Sequence, residues 1–353
     1  MSLTQQNHSR FYELDFMRFL AALAVLFYHY TFSATRLLGT PSFGFAAISK
    51  YGYLGVDAFF MISGYVVLMS SMHKSPKYFI VSRITRLYPA YLVCCFLTFI
   101  ILYFNKISVA GVPQVTFKLL AYNLTMFQEF FGKANINGIF WTLTYELGFY
   151  TIVLLIAALK LWKNLLPLLG MWLIYTLFIN YSEINAFSFF LIPKYSPCFI
   201  AGMLFYLLRV NYTLKWKIHA LLLLCLAVNI KNNIQITKEM NVFYHADNEF
   251  NRYIVFAFTL FFFLIFLLSA LKKLNFTFLI YPAKLGVLTY PLYLVHGFGI
   301  GFFTLLGGKV NKYVLFTSAT LFSIGLSFII YKFVEKKYSR QLKILLSNLF
   351  DKL

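Results

Sequence analysis

Long apolar stretches alternate with short polar ones along the whole chain. A run of about 20 apolar residues, wound as a helix, crosses roughly 30 Å of hydrocarbon. The runs are continuous rather than alternating residue by residue, which predicts helices and not the strands of a membrane barrel. The pattern places ten spans, at 14–36, 51–72, 88–104, 139–160, 164–180, 187–209, 217–230, 252–271, 286–306 and 312–334. The expected fold is therefore all-α, a polytopic membrane helical bundle. With no internal repeat, it is read as one membrane domain over 10–337 and a tail over 338–353. The first run is too long for a cleavable signal and has no small-residue cleavage site, so it is expected to stay as structure.

Composition agrees with a bilayer. The 353 residues are 61% hydrophobic and only 12% charged, against roughly 25% charged in soluble domains, and the mean hydropathy is +0.74. A net charge of +20 would suit nucleic acid, but its distribution argues for topology instead. With the N-terminus in the cytoplasm, cytoplasmic segments hold roughly twice as many Lys and Arg as external ones, the positive-inside bias. With an even number of spans, both termini are then expected inside, with a bacterial cytoplasmic membrane as the setting. In the tail, Leu342, Leu345, Leu346, Leu349 and Phe350 share a helical face opposite Lys336, Lys343 and Lys352, predicting a basic amphipathic helix on the inner leaflet. Cys94, Cys95, Cys198 and Cys225 lie inside spans without metal or redox spacing, so neither a metal site nor a disulfide framework is expected. The long external connections, 105–138 and 231–251, are candidates for meeting a substrate outside the cell.

Ionisable residues at hydrocarbon depth are costly and mark protein interiors or chemistry. Arg18 and His29 stand three helical turns apart on one face of the first span. Snorkelling explains Arg18 as well as function does, and His29 alone could be a packing residue. Asp57 and the Ser63-Gly64 pair lie in the second span. Helix packing accounts for the small pair but leaves the carboxylate in need of a partner. Arg83 and Arg86, one turn apart before Pro89, read as positive-inside anchors or as a guanidinium pair for phosphates. Trp141 fits an interfacial belt, whereas Glu146 has no such default. Of six histidines, His29 and His296 lie deep in spans, and His8, His73, His219 and His245 sit at ends or in loops. The path is basic at one end and His/carboxylate at the other, the arrangement expected for an anionic cytosolic donor and a neutral external acceptor.

Five segments in this order resemble the acyltransferase-3 family of integral membrane O-acyltransferases: Arg18 and His29 in R-x10-H spacing, GVDAFFMISGY at 55–65, RITRLYP at 83–89, WTLTYELGFY at 141–150 and YPLYLVH at 290–296. The resemblance covers about residues 10 to 337. It implies transfer of an acyl group, usually acetyl, from cytosolic acyl-coenzyme A to a hydroxyl of a surface glycan such as lipopolysaccharide O-antigen or exopolysaccharide. Residue by residue, it points to Arg18 and His29, to Ser63, Gly64 and Tyr65, to Arg83 and Arg86, and to Glu146. Tyr65 stands where Phe is commoner and Thr142 where Ser is usual. Some members carry a fused esterase-like domain; lacking one here, the chain is expected to finish the transfer itself or to use a separate extracytoplasmic transferase.

The expected mechanism gives Arg18, Arg83 and Arg86 the phosphates of coenzyme A. His29 is the general base toward the acceptor hydroxyl, with Asp57 or Glu146 orienting it as in a hydrolytic triad. Ser63, Gly64, Tyr65, Trp141 and His296 are expected around the substrates. A covalent acyl-enzyme is an open alternative. So is a transporter or flippase for a lipid-linked glycan, although the chain shows neither inverted repeats nor matched broken helices.

Overall fold

The structure, a computed structural model, describes residues 11–72, 74–105, 114–179, 189–245, 249–274 and 284–351. His8, His73 and Lys352 lie outside the described residues, as do 106–113 and 246–248 of the two long connections. In chain order the helices are α1 (Tyr12–Leu38), α2 (Ala46–Ser71), α3 (Pro76–Asn105), α4 (Phe117–Leu124), α5 (Gly138–Ala158), α6 (Leu161–Phe178), α7 (Ser196–Arg209), α8 (Lys215–Phe243), α9 (Arg252–Ala270), α10 (Lys284–Leu306) and α11 (Lys312–Phe350). All but α4 and α7 are long and apolar enough to cross a bilayer, nine among the described residues. The protein is a polytopic helical membrane bundle.

Three expectations need correction. The span placed at 187–209 is the 14-residue α7, which begins only at Ser196. Pro193, with no N–H to donate, stands in the turn before it, and Pro197 occupies the first helical turn, where a missing N–H costs nothing. At about 21 Å, α7 is short for a span, but it is buried almost throughout and meets protein rather than lipid. The external loop placed at 231–251 is mostly helix, because α8 runs unbroken to Phe243. Its polar residues looked like loop; Asn229, Asn232 and Asn233 are instead buried and hydrogen-bonded inside the bundle. The third span starts earlier than residue 88, so that Arg83 and Arg86 lie within α3 and not ahead of it.

α2 and α7 form the centre. A Cβ on Gly64 would land on the Phe199 carbonyl, and one on Gly202 on the Met61 carbonyl, so only glycine lets these two backbones touch. Small residues serve helix association in membranes this way, where lipid removes the hydrophobic drive between helices. α1 and α5 flank α2, α10 packs on α1 and α3, and α8 and α9 back α7. The outer surface carries exposed Phe96, Ile100 and Phe104 on α3, Phe261 and Leu264 on α9, and Leu321 and Phe328 on α11. Such side chains suit hydrocarbon, and backbone groups behind them are satisfied within the helices.

Two π-helical segments interrupt the regular winding, Tyr28–Ser33 in α1 and Tyr331–Glu335 in α11. Beyond the second, the tail continues without a break as helix Lys336–Asp351. It lies along the start of α3, where Lys77 Nζ donates to the Phe350 carbonyl at 2.7 Å, and it leaves Leu345 and Leu349 exposed. At the other side of the bundle, Glu249 ties two elements together by accepting from Lys50 at 2.9 Å and from Arg36. Burial alone would raise the Glu249 carboxyl; the Lys50 hydrogen bond and the Lys50 and Arg36 charges outweigh it and hold the group below its ordinary value.

Candidate active site

A cavity opens between α1, α2, α3, α5 and α10. Its walls carry three guanidinium groups, Arg18, Arg83 and Arg86, against one carboxylate, Glu146. Arg83 is 9% exposed. It donates to Ser82 Oγ at 2.9 Å and Ser70 Oγ at 3.3 Å, and it lies over the rings of Phe79 and Tyr150. Its Nε is buried with no hydrogen-bond partner among the described residues. Arg18 faces Asp15 at 3.8 Å, too far for a strong hydrogen bond. The arginine fork is a planar set of donors built for phosphate or carboxylate, and here it is only partly used.

Glu146 accepts from Ser63 Oγ at 3.0 Å and from the Tyr150 hydroxyl. Ser63 therefore turns toward the cavity, while its neighbour Gly64 turns away into the contact with α7. Tyr65 is buried beside Phe11 and Tyr206, outside the cavity lining. Trp141 also lies off the lining, in an aromatic group with Tyr145 and Tyr195 at 5.5 and 5.6 Å between ring centroids.

Toward the His29 end the cavity is closed by Tyr293 and Phe59, whose rings meet at 5.7 Å. Tyr293 is held in place by its hydroxyl, which accepts from Thr142 Oγ1 at 2.8 Å and donates to the Ile139 carbonyl at 2.9 Å. On its far side stand His296, 5.3 Å away by ring centroids, and His29, 5.1 Å from His296. His29 sits in the first π segment, a rare winding often found at functional sites.

Asp57 is elsewhere. It is 3% exposed, and its carboxylate accepts from Asn233 Nδ2 at 2.7 Å and Asn229 Nδ2 at 3.4 Å, both on α8. Asn233 also donates to Thr259 on α9. The hydrogen bonds of both expected carboxylates thus go to partners other than His29, and its close aromatic neighbours are Tyr28 and His296. The structure brings Arg18, Ser63, Arg83, Arg86 and Glu146 around one cavity and sets His29 and His296 together behind Tyr293.

Sequence reasoning passed over Tyr290 and Tyr293 as site residues although both lie in the quoted YPLYLVH segment. Tyr290 lines the cavity and donates to the Leu87 carbonyl at 3.0 Å. It also missed Asn229 and Asn233, whose signal was their i, i+4 spacing beside apolar neighbours.

The family described as "Acyltransferase domain" matches residues 11–332. Nodulation protein 10 of Rhizobium leguminosarum bv. viciae is 30% identical over 170 residues, covering 42% of this chain and 45% of that protein. Less than half of that relative's length is therefore matched. No solved structure matches the chain. Because the family match runs through every helix that builds the cavity and the histidine pair, the chain belongs to the acyltransferase-3 family.

Proposed function

We propose that the protein moves an acyl group, acetyl in the simplest case, from cytosolic acyl-coenzyme A to a hydroxyl of a surface glycan or its lipid-linked precursor. The observation that carries this reading is the division of the site: three arginines in one cavity, two histidines beyond it, and Tyr293 between them. The guanidinium groups hold the donor's phosphates, which favours the cytosol for that end. The pantetheine arm follows the cavity toward Tyr293, and displacement of that ring opens the thioester to His29. His29 takes the proton of the acceptor hydroxyl as the oxygen attacks the thioester carbonyl. The C–O bond forms, the C–S bond breaks, and the proton ends on the leaving sulfur.

The same reading places both termini in the cytoplasm of a bacterial cell, with the acceptor, such as lipopolysaccharide or exopolysaccharide, arriving from outside. A separate extracytoplasmic transferase is a candidate partner for the final transfer. The test uses purified protein in nanodiscs with acetyl-coenzyme A. Release of free coenzyme A that depends on a glycan acceptor, together with an acetyl ester found on that acceptor by mass spectrometry, supports the reading. Movement of a lipid-linked glycan across the bilayer without coenzyme A release would replace it with transport.

A further inference from the structure

His296 is 2% exposed, and its Nδ1 lies 2.6 Å from the Tyr293 carbonyl oxygen. A carbonyl can only accept, so Nδ1 carries the proton of the neutral ring and Nε2 is left with the lone pair. That Nε2 is buried and has no hydrogen-bond partner among the described residues. A buried acceptor without a donor is unfavourable, and native structures rarely keep one without a use. The His29 ring faces it at 5.1 Å between centroids, inclined by 38°.

The backbone around the pair is also fixed. Tyr30, the residue after His29, donates its hydroxyl to the His296 carbonyl at 2.8 Å and pairs with Ser323 Oγ at 2.7 Å. A Cβ at Gly299 would strike that hydroxyl, so the glycine lets Tyr30 reach across. The π segment of α1 and the middle of α10 are thereby held together where the two imidazoles meet.

We infer that His296, and not a carboxylate, orients His29 as a base. A turn of the His29 ring lets one of its nitrogens donate to His296 Nε2, which leaves the other free to accept from the acceptor hydroxyl. The inference rests on the acyl-transfer reading above. In the reaction, the hydroxyl proton moves to His29 as the new C–O bond forms. His29 passes its other N–H proton to His296 Nε2, whose Nδ1–H stays on the Tyr293 carbonyl. When the C–S bond breaks, the thiolate takes a proton back along the same path, and both rings end neutral. His296 is a positioning residue in this scheme because it acts through His29. A neutral partner also spares the low-dielectric interior a permanent negative charge.

Two measurements test this. Nitrogen NMR on ¹⁵N-histidine-labelled protein in nanodiscs is expected to find His296 protonated at Nδ1, with its Nε2 signal shifting in His29→Ala. Protonation at Nε2, or an Nε2 signal that ignores His29→Ala, would overturn the inference without reference to any acceptor. In kinetics, His296→Phe is expected to lower kcat by about 10²–10⁴-fold with the donor KM unchanged. His296→Gln, whose amide oxygen can still accept from His29, recovers part of the loss. Adding His296→Phe to His29→Ala should cost nothing further, since a residue that acts through His29 has no effect once His29 is gone. Losses that multiply, or full activity in His296→Phe beside an inactive His29→Ala, reject the positioning role alone. Wild-type protein that releases no coenzyme A with any acceptor rejects acyl transfer itself, and the NMR result still decides the tautomer.

Discussion

Glu146 and Asp57 are both carboxylates inside membrane helices, yet their surroundings differ. Glu146 keeps part of its surface open, lines the cavity with three arginines, and is held by two hydroxyls. Asp57 is sealed, and the amides of Asn229 and Asn233 join it to α8. A hydroxyl can give up a carboxylate to a substrate and find another partner. Two buried amides cannot. The comparison teaches that depth in the membrane does not by itself mark a chemical group; the partners decide whether it serves the site or the fold.

The largest expected effect follows from breaking the sealed pair. Asp57→Ala leaves two buried amides without their acceptor, at about 1–3 kcal/mol each, so about 2–6 kcal/mol of stability is lost. Asp57→Asn, which retains a carbonyl oxygen, loses less. Thermal unfolding in detergent reads both, and refolded Asp57→Asn is expected to bind acetyl-coenzyme A like the wild type. Weakened donor binding in a stable Asp57→Asn would move Asp57 into the site.

A smaller effect, of opposite character, is expected at Glu146. Glu146→Gln keeps acceptors for Ser63 and Tyr150 and removes one negative charge from beside the arginines. Stability should change by less than about 1 kcal/mol, because the hydrogen bonds become neutral without being lost. Donor binding is expected to tighten by up to about tenfold, the scale of roughly 1.4 kcal/mol from one nearby charge. Calorimetric titration with acetyl-coenzyme A checks the sign; weaker binding would show that Glu146 contacts the donor favourably.

Much of the bundle was legible because hydropathy over a span sums many residues and survives local exceptions. α1 winds regularly up to Phe27, so Arg18 lies in its α-helical part and lines the cavity, whereas His29 falls in the π segment beyond and off the lining. What failed did so where polar residues are buried. The stretch from Asn229 to Thr237 has the composition of a loop, and partners distant in sequence, among them Asp57, Thr259 and the Pro193 and Lys194 carbonyls, hold it as a buried helical face. Partner choice was equally hidden. His29 and Glu146 each fitted the chemistry of a base and its orienting acid, but the helices that carry them bring Glu146 to Ser63 and His29 to His296. Nor does the sequence announce the π segment that carries His29.

The central claim is that the arginine cavity holds the donor and the histidine pair acts on it. Calorimetric titration of acetyl-coenzyme A into the wild type, Arg83→Ala, Arg86→Ala and His29→Ala in nanodiscs tests it most directly. Each arginine variant removes charge-assisted contacts worth about 1.5–3 kcal/mol, so affinity should fall by roughly 10- to 150-fold. His29→Ala should bind donor as tightly as the wild type while transferring no acyl group. Equal affinity in all four proteins, or binding lost in His29→Ala and kept in both arginine variants, would contradict the account.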